Sequence, residues 1–354
     1  MTSDITNGDL APVRSGSQMA LETGEAPAAV ARLLDTNMSA CLELGRRLEI
    51  LQPPVIVTCA RGSSDHAATY GKYLFETQLG IPVSSFAPSV SSVYHTQPKL
   101  KGAMFLAISQ SGRSPDLLKS TEAARAAGAF VVALVNDINS PLANLADVSL
   151  DLQAGPETSV AATKSFIASL AGLLQITACW SRDKELTKSL SQLPNQLAKA
   201  ADLDWSEAVN TIAEARNMFT LGRGLGYGVA QEAALKLKET SMIHAEPFSS
   251  AELAHGPMAL LRMGFPILMF SQNDGTRPGI VELTAALREK GADLFVAEEG
   301  DAAPGRLPVV ADMHPAAAPL AMIQSFYRLA DKVAAARGLD PDSPRHLKKV
   351  TETL

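Results

Sequence analysis

Ionisable side chains are concentrated in residues 232–257, which read EAALKLKETSMIHAEPFSSAELAHGP. Glu232, Lys236 and Glu239 are spaced by four and three positions, so on a helix they lie along one stripe. A carboxylate beside an ammonium group can move protons in catalysis, and an ordinary helical salt bridge explains the same spacing. Because only 19% of the 354 residues are charged, we treat this stripe as a candidate site.

Two histidines follow the stripe. His255 lies in AELAHGP, directly before Gly256-Pro257, where a histidine can serve as a catalyst, a cap or a core residue. His244, in SMIHAE, fits a core position better. The spacing alone therefore leaves a catalytic role for Glu239 and His255 open.

Small hydroxyl-bearing residues follow two apolar segments of the first half, PVIVTCA and AMFLAI. Serine, glycine and glutamine let backbone and side-chain donors approach an anion closely, although serine and glycine also form ordinary helix caps. Two such loops, on strands that should be neighbours, favour an anion site over caps alone. The residues that we predict to form it are Ser63, Ser64, Ser109, Gln110, Ser111 and Ser114.

The chain contains an internal repeat. Arg61-Gly62 recurs as Arg223-Gly224, and Ser109-Gln110 recurs as Ser271-Gln272, each pair 162 residues apart. A helical stretch and further short apolar segments follow each copy, and this alternation predicts parallel sheets with helices on both faces. The fold class is therefore α/β, with two tandem flavodoxin-like or Rossmann-like domains. The second half has SQND where the first has SQSG, which indicates a different role for it.

The pattern also predicts the limits of these parts. We expect a disordered tail at 1–20, a first domain at 21–190, a second domain at 200–340 and a C-terminal tail at 341–354. The first domain should begin with a helical arm at 26–48 and contain a loop that enters an apolar helix between 156 and 180. In the second half, LPVVAD (307–312) reads as a strand.

Composition excludes several classes of partner. A net charge of −6 and an isoelectric point near 5.6 argue against nucleic acid or an anionic membrane. Cys41, Cys59 and Cys179 lack the spacing of a metal site or a disulfide framework, which fits a reducing compartment. Because we find neither a signal peptide nor a spanning segment, we expect a cytoplasmic protein. We also expect no cofactor or metal, because the sequence offers no ligand set for one.

Several motifs together resemble the sugar isomerase (SIS) family. They are GSS, SQSGRS, GPETSVAATKSF, EAALKLKETSMIHAE, ELAHGP and the C-terminal PDSPRHLKK, and they occur in the family's order from about residue 20 onward. The likeness is to the isomerase half of glutamine-fructose-6-phosphate aminotransferase and to SIS-type glucosamine-6-phosphate deaminases. It implies two tandem SIS domains.

The resemblance also implies roles for single residues. The serines and Gln110 named above would bind a sugar phosphate, and Val160 would line the sugar. Glu239 would be the base that moves a proton between C1 and C2, with Lys236 and Glu232 as supporting groups. The resemblance further implies that His255 opens the sugar ring and reaches the site from the partner subunit of a homodimer. Lys349, rather than its neighbour Lys348, would form a Schiff base with the sugar or polarise it. Position 113 has Arg where the aminotransferase has Glu, which alters the rim of the phosphate loop.

We expect a glucosamine-6-phosphate deaminase, which forms fructose 6-phosphate and ammonia. The second residue is Thr2 and barely fifty residues precede the first strand, so we expect no glutaminase domain to supply ammonia. One alternative is a SIS enzyme for another phosphorylated amino sugar, such as galactosamine 6-phosphate, or for a fructosamine phosphate. Another is a non-catalytic regulator that senses sugar phosphates, although such a regulator should lack the base or the histidine.

Overall fold

The computed structural model describes residues 16–349. Twelve α-helices lie in this part of the chain: α1 (Gln18–Gly24), α2 (Ala26–Leu51), α3 (Ser63–Leu79), α4 (Pro88–Ser92), α5 (Pro115–Ala126), α6 (Pro141–Leu145), α7 (Lys164–Ser181), α8 (Lys184–Ala201), α9 (Val209–Glu214), α10 (Leu225–Ser241), α11 (Arg277–Glu289) and α12 (Ala318–Ala336). The same part contains ten strands: β1 (Ile56–Cys59), β2 (Val83–Ser85), β3 (Met104–Ser109), β4 (Phe130–Val135), β5 (Val148–Asp151), β6 (Asn217–Gly222), β7 (His244–Ser249), β8 (Pro266–Phe270), β9 (Asp293–Ala297) and β10 (Arg306–Leu307).

The strands form two five-stranded sheets, in the orders β2-β1-β3-β4-β5 and β10-β9-β8-β6-β7. Every neighbouring pair of strands is parallel, as the alternation of strands and helices predicts. The predicted α/β class with two parallel sheets is therefore confirmed.

Both faces of the first sheet are buried. On β3, Met104, Leu106 and Ile108 pack into the central core, while Phe105 and Ala107 pack into a second core on the opposite face. A strand that is covered on both sides must be apolar at every position, which explains the unbroken run MFLAI.

The repeat of 162 residues is visible in the helices. The two helices α3 and α10 have 17 residues each and begin 162 positions apart. Each follows a glycine in the left-handed region, Gly62 with φ of 54° and Gly224 with φ of 57°. Glycine adopts this conformation without steric cost, so both turns from strand to helix need it.

The two units pack against each other through α3 and α10. At Gly228 on α10, a Cβ atom would lie only 2.6 Å from the carbonyl oxygen of His66 and 2.8 Å from the backbone nitrogen of Tyr70. Only glycine allows this approach of the two helices. Helix α12 completes the central core with buried Phe326 and Tyr327.

Three features differ from the sequence analysis. The strand predicted at 307–312 is confined to β10, because Pro308 cannot donate a hydrogen bond to the neighbouring strand. His244 is exposed at the start of the edge strand β7, so the prediction that it lies in the core was wrong. The short strand β2 and the strand β7 were not predicted, because both lie at sheet edges and lack a long apolar run.

Residues 1–15 and 350–354 lie outside the described residues, and α1 already begins at Gln18, inside the range that we assigned to a tail. The domain limits themselves stay predictions. Within residues 16–349, no helix is both long and apolar enough to cross a membrane.

Candidate functional site

A cavity of about 370 Å³ lies at the carboxyl ends of β1 and β3, where α3 and α5 begin. Eight of the predicted site residues line it: Ser63, Ser64, Ser109, Gln110, Ser111, Ser114, Val160 and Lys349. Seven come from the first half, and Lys349 comes from the C-terminal segment. Lys348 is exposed, so the structure places Lys349 and not its neighbour in the cavity.

Two helix N-termini face this cavity. Ser63 is the first residue of α3, and Ser114 caps α5 ahead of Pro115. The loop before α5 turns at Gly112, where φ is 63° and a Cβ atom would lie 2.2 Å from Ser140 Oγ. The positive end of the helix dipole favours an anion at both positions.

The serine hydroxyls of the second loop are preorganised. Ser109 Oγ accepts a hydrogen bond from the N–H of Gly112 at 3.0 Å, and Ser111 Oγ accepts one from the N–H of Arg113 at 3.3 Å. A hydroxyl that accepts a hydrogen bond can still donate its own hydrogen. Both side chains can therefore donate to a ligand oxygen.

Arg61 is a cavity residue that the sequence analysis did not assign. Its Nε lies 2.9 Å and its Nη2 lies 2.7 Å from Oδ2 of the buried Asp116, so the guanidinium is held at the cavity wall. The recurrence of Arg-Gly at 61 and 223 was the signal that could have identified it. The other arginine of this region, Arg113, forms an exposed ion pair with Asp137 at 2.8 Å.

Lys349 is fixed by a buried carboxylate, Glu157, which the sequence analysis also missed. Lys349 Nζ donates to Glu157 Oε2 at 3.2 Å and to the carbonyl oxygen of Ser159 at 2.7 Å. Glu157 also accepts from the N–H groups of Thr163 and Ser165 and from the Ser165 hydroxyl. Burial alone would raise the pKa of Glu157, but the charge of Lys349 and these hydrogen bonds outweigh it and hold the pKa below its usual value.

Helix α1 positions both segments that carry this pair. Its buried Glu22 accepts hydrogen bonds from the backbone N–H of Thr158 at 2.6 Å and from that of Ser159. In the C-terminal segment, Asp342 accepts from the backbone N–H groups of Gln18 at 2.6 Å and Met19 at 2.8 Å, at the start of α1. The N-terminal helix therefore connects the 157–163 loop to the segment that ends at Lys349.

The charged stripe forms a buried cluster on α10. The side chains of Glu232 and Lys236 are 0% and 1% exposed, and that of Glu239 is 18% exposed. Lys236 Nζ lies 2.5 Å from Glu239 Oε2 and 3.4 Å from Glu232 Oε1. Burial alone would lower the pKa of Lys236, but the charges of Glu232 and Glu239 outweigh it and raise the pKa, so the ammonium group stays charged.

Tyr327 lies between the two carboxylate clusters. Its hydroxyl donates to Glu232 Oε1 at 3.2 Å. Burial, and then the charges of Glu232, Glu157 and Glu239, raise its pKa well above the usual value, so the hydroxyl keeps its hydrogen. The charge of Glu157 at the cavity and those of the stripe on α10 therefore act on the same tyrosine.

Glu232, Lys236, Glu239 and His255 are not among the residues that line the cavity. The first three belong to the adjacent cluster on α10. His255 is exposed on a short 3-10 turn, Leu253–His255, that follows β7. Residues 16–349 contain no group of three or more His, Cys, Asp or Glu side chains that could hold a metal ion.

The equivalent loop in the second unit is filled by its own side chain. Gln272 is buried, and its Nε2 donates to the carbonyl oxygen of Arg223 at 2.8 Å and to Asp274 Oδ2 at 2.9 Å. A Cβ atom at Gly226 would lie 2.6 Å from Gln272 Oε1. The SQND loop of the second unit is thus filled by the Gln272 side chain, whereas the SQSG loop of the first unit is open to the cavity.

Comparison with known proteins gives consistent matches along the chain. The SIS domain model matches residues 49–178 and 211–297. Glutamine–fructose-6-phosphate aminotransferase [isomerizing] of Thermotoga maritima is 35% identical over 315 residues, which is 83% of this chain and 50% of that protein. The chain thus spans about half the length of the curated relatives it matches.

Solved structures match over nearly the whole chain. A "putative phosphosugar isomerase" from Silicibacter pomeroyi is 43% identical, with a TM-score of 0.87 over 92% of this chain and 100% of that one. Glucosamine-6-phosphate deaminase from Thermotoga maritima, at 22% identity, has the same fold, with a TM-score of 0.77 over 95% and 100% of the two chains. The chain belongs to the SIS domain family, with two tandem SIS domains.

Proposed function

We propose that this protein is a glucosamine-6-phosphate deaminase. The observation that carries the proposal is the single cavity in which the serine loops, Val160 and Lys349 meet, beside the acid–base cluster of α10. Family membership supports a sugar phosphate as the ligand, since the matched relatives are named for phosphosugars and fructose 6-phosphate.

The phosphate group binds at the N-termini of α3 and α5. The serine hydroxyls there donate to its oxygens, and Arg61 adds a fixed positive charge at the cavity wall. A phosphate held in this way leaves the reactive end of the open-chain sugar free to face the residues deeper in the site.

Glu239 transfers the proton. In the open-chain aldose it removes the hydrogen at C2 as a proton and returns a proton to C1. The amine nitrogen loses a proton and the C1 oxygen gains one, so that the aldehyde becomes a hydroxymethyl group and the C2 amine becomes an imine. Water then adds to C2 and ammonia leaves, which yields fructose 6-phosphate. Lys236, 2.5 Å from Glu239, stabilises the carboxylate form of the base, and Lys349 polarises the sugar as a hydrogen-bond donor, the role it already has towards Glu157 and Ser159.

Deamination is the favoured direction because it needs only water besides the sugar. The reverse reaction needs a supply of ammonia as well. The exposed pair of Arg113 and Asp137 at the loop before α5 is the feature that could favour a different phosphorylated amino sugar.

The first test is a direct assay. Purified protein is incubated with glucosamine 6-phosphate, and ammonia and fructose 6-phosphate are measured in parallel. We expect the two products in equal amounts. Galactosamine 6-phosphate and a fructosamine 6-phosphate serve as alternative substrates. Ammonia from one of these and none from glucosamine 6-phosphate would replace the proposed substrate, and none from any would overturn the deaminase proposal.

We also propose that His255 acts across a homodimer. Its exposed position on the turn after β7, outside the cavity of its own chain, supports a role in a neighbouring subunit's site. In such a dimer, each site would combine Glu239 of one chain with His255 of the other, and the imidazole would open the sugar ring by proton transfer.

Subunit mixing tests this arrangement. Glu239→Gln and His255→Asn should each be nearly inactive alone, and subunit exchange between them should restore about a quarter of the wild-type rate, because half of the dimers are mixed and each has one intact site. Mixing Glu239→Gln with itself is the control. No recovery, in mixtures that native mass spectrometry shows to contain heterodimers, would place His255 in the site of its own chain.

A further inference from the structure

His66 joins the two units at a buried carboxylate. It lies in the first turn of α3, two residues after the cavity residue Ser64, and its Nδ1 is 3.0 Å from Glu232 Oε2 on α10. The close approach of the helices at Gly228, one turn before Glu232, occurs directly against the backbone of His66. The packing of α3 on α10 therefore sets the position of the imidazole.

The contacts of Glu232 determine where the hydrogen of His66 lies. Oε1 of this carboxylate accepts from Tyr327 and lies 3.4 Å from Lys236 Nζ, while Oε2 faces His66. A carboxylate oxygen accepts hydrogen bonds, so this contact needs a hydrogen on Nδ1 of His66. His66 is thus a donor to Glu232.

The cluster contains two carboxylates and one ammonium group. Glu232 and Glu239 share Lys236, and the shorter contact, at 2.5 Å, is to Glu239. Glu232 is wholly buried, so the loss of a donor would leave a carboxylate oxygen without a hydrogen bond, which is costly away from water. Lys236 is the nearest replacement donor, and its ammonium group would move towards Glu232 and away from Glu239.

We propose that His66 is a positioning residue for the base. By donating its Nδ1 hydrogen to Glu232, it leaves Lys236 to Glu239 and so holds the Glu239 carboxylate in place. In this way α3 carries both a phosphate-binding end and the support for the proton-transfer group. The assignment of the base rests on the proposed function, whereas the hydrogen bond from His66 to Glu232 does not.

The kinetic test compares His66→Ala with His66→Asn, whose side-chain amide offers an N–H near the place of Nδ1. We expect His66→Ala to lower kcat for ammonia release by about 10–100-fold with little change in KM, an effect of the size seen when a residue that orients a metal ligand is replaced. His66→Asn should recover most of kcat. Thr69→Ala, in the same helix, is the matched control, since Thr69 donates only to the Asp65 carbonyl oxygen of its own helix, and it should leave kcat unchanged.

Two results of the kinetic test would contradict the proposal. A normal kcat in His66→Ala, or a lowered kcat that His66→Asn fails to recover while both variants remain folded, would overturn the positioning role. Nitrogen-15 NMR of the histidine side chains tests the hydrogen bond without any activity: we expect an imidazole with its hydrogen on Nδ1, which disappears in His66→Asn. A hydrogen on Nε2 alone would overturn the inference. An inactive wild-type protein with the expected NMR signal would contradict the proposed function and leave His66 as the donor to Glu232.

Discussion

Glu239→Gln is expected to lower kcat for ammonia release by about 10²–10⁴-fold, the usual contribution of a positioned acid–base group. Glutamine keeps the shape of the side chain, and its amide oxygen can still accept the hydrogen bond from Lys236, 2.5 Å away in the wild type. It cannot accept the proton from C2. Because the proposed phosphate site lies elsewhere, at the N-termini of α3 and α5, KM should change little.

The measurement is steady-state release of ammonia, together with exchange of the C2 hydrogen for deuterium from solvent. The matched control is Glu282→Gln, the same change at an exposed carboxylate on α11, which should be neutral. An active Glu239→Gln protein that still exchanges the C2 hydrogen would show that another group is the base. The proposed mechanism would then fail at its central step.

Glu157→Gln is expected to have the largest effect on stability among the site residues. The carboxylate accepts hydrogen bonds from the backbone of Thr163 and Ser165, from the Ser165 hydroxyl and from Lys349. Glutamine places an NH₂ group against one of these donors and removes the charge that faces Lys349. We expect the free energy of unfolding to fall by about 1.5–3 kcal/mol, the contribution of hydrogen bonds to a charged group.

This loss should depend on pH. The folded protein holds the pKa of Glu157 below its usual value, because the charge of Lys349 and the hydrogen bonds outweigh burial. A lowered carboxyl pKa contributes stability above the pKa of the unfolded chain, and that contribution is lost as the pH falls through the folded value. Urea unfolding of wild type and variant should therefore differ fully near neutral pH and converge below about pH 4.

Two further variants make this test specific. Glu246→Gln changes an exposed carboxylate on β7 and should leave stability unchanged at every pH. In a double-mutant cycle with Lys349→Met, the effects of the two substitutions should not add, because they remove the same pair. Additive effects, or a difference that persists unchanged into acid, would contradict the role of Glu157 as the ionised anchor of the C-terminal segment.

Much of the fold follows from the sequence, because its signals are local and repeated. The Arg-Gly and Ser-Gln pairs, 162 residues apart, and the unbroken apolar strands predict two parallel sheets. The edge strands β2 and β7 were not predicted, because an edge strand needs no long apolar run. The strand predicted at 307–312 proved too long, because Pro308 ends the pairing of β10 in a segment that is otherwise typical of a strand.

The site was less predictable from the sequence than the fold. Ser64 and Ser109 could be placed together because parallel neighbouring strands end at one edge of a sheet. Lys349 joined them only through the family resemblance, since no local pattern connects residue 349 to the first unit. Glu157 and His66 were missed for the same reason: their partners, Lys349 and Glu232, lie 192 and 166 positions away in the sequence.

The anchoring of Lys349 by α1 and the 157–163 loop has a consequence for biosynthesis. The ribosome makes α1 and the serine loops early, but the lysine that completes the cavity, and Asp342 that caps α1, come after the second unit. A nascent chain with only its first unit folded therefore lacks the Asp342 acceptor at the start of α1 and the ammonium group that pairs with Glu157. Sugar binding should accordingly begin only once translation has passed the second sheet, and prematurely terminated chains should be poor competitors for the metabolite.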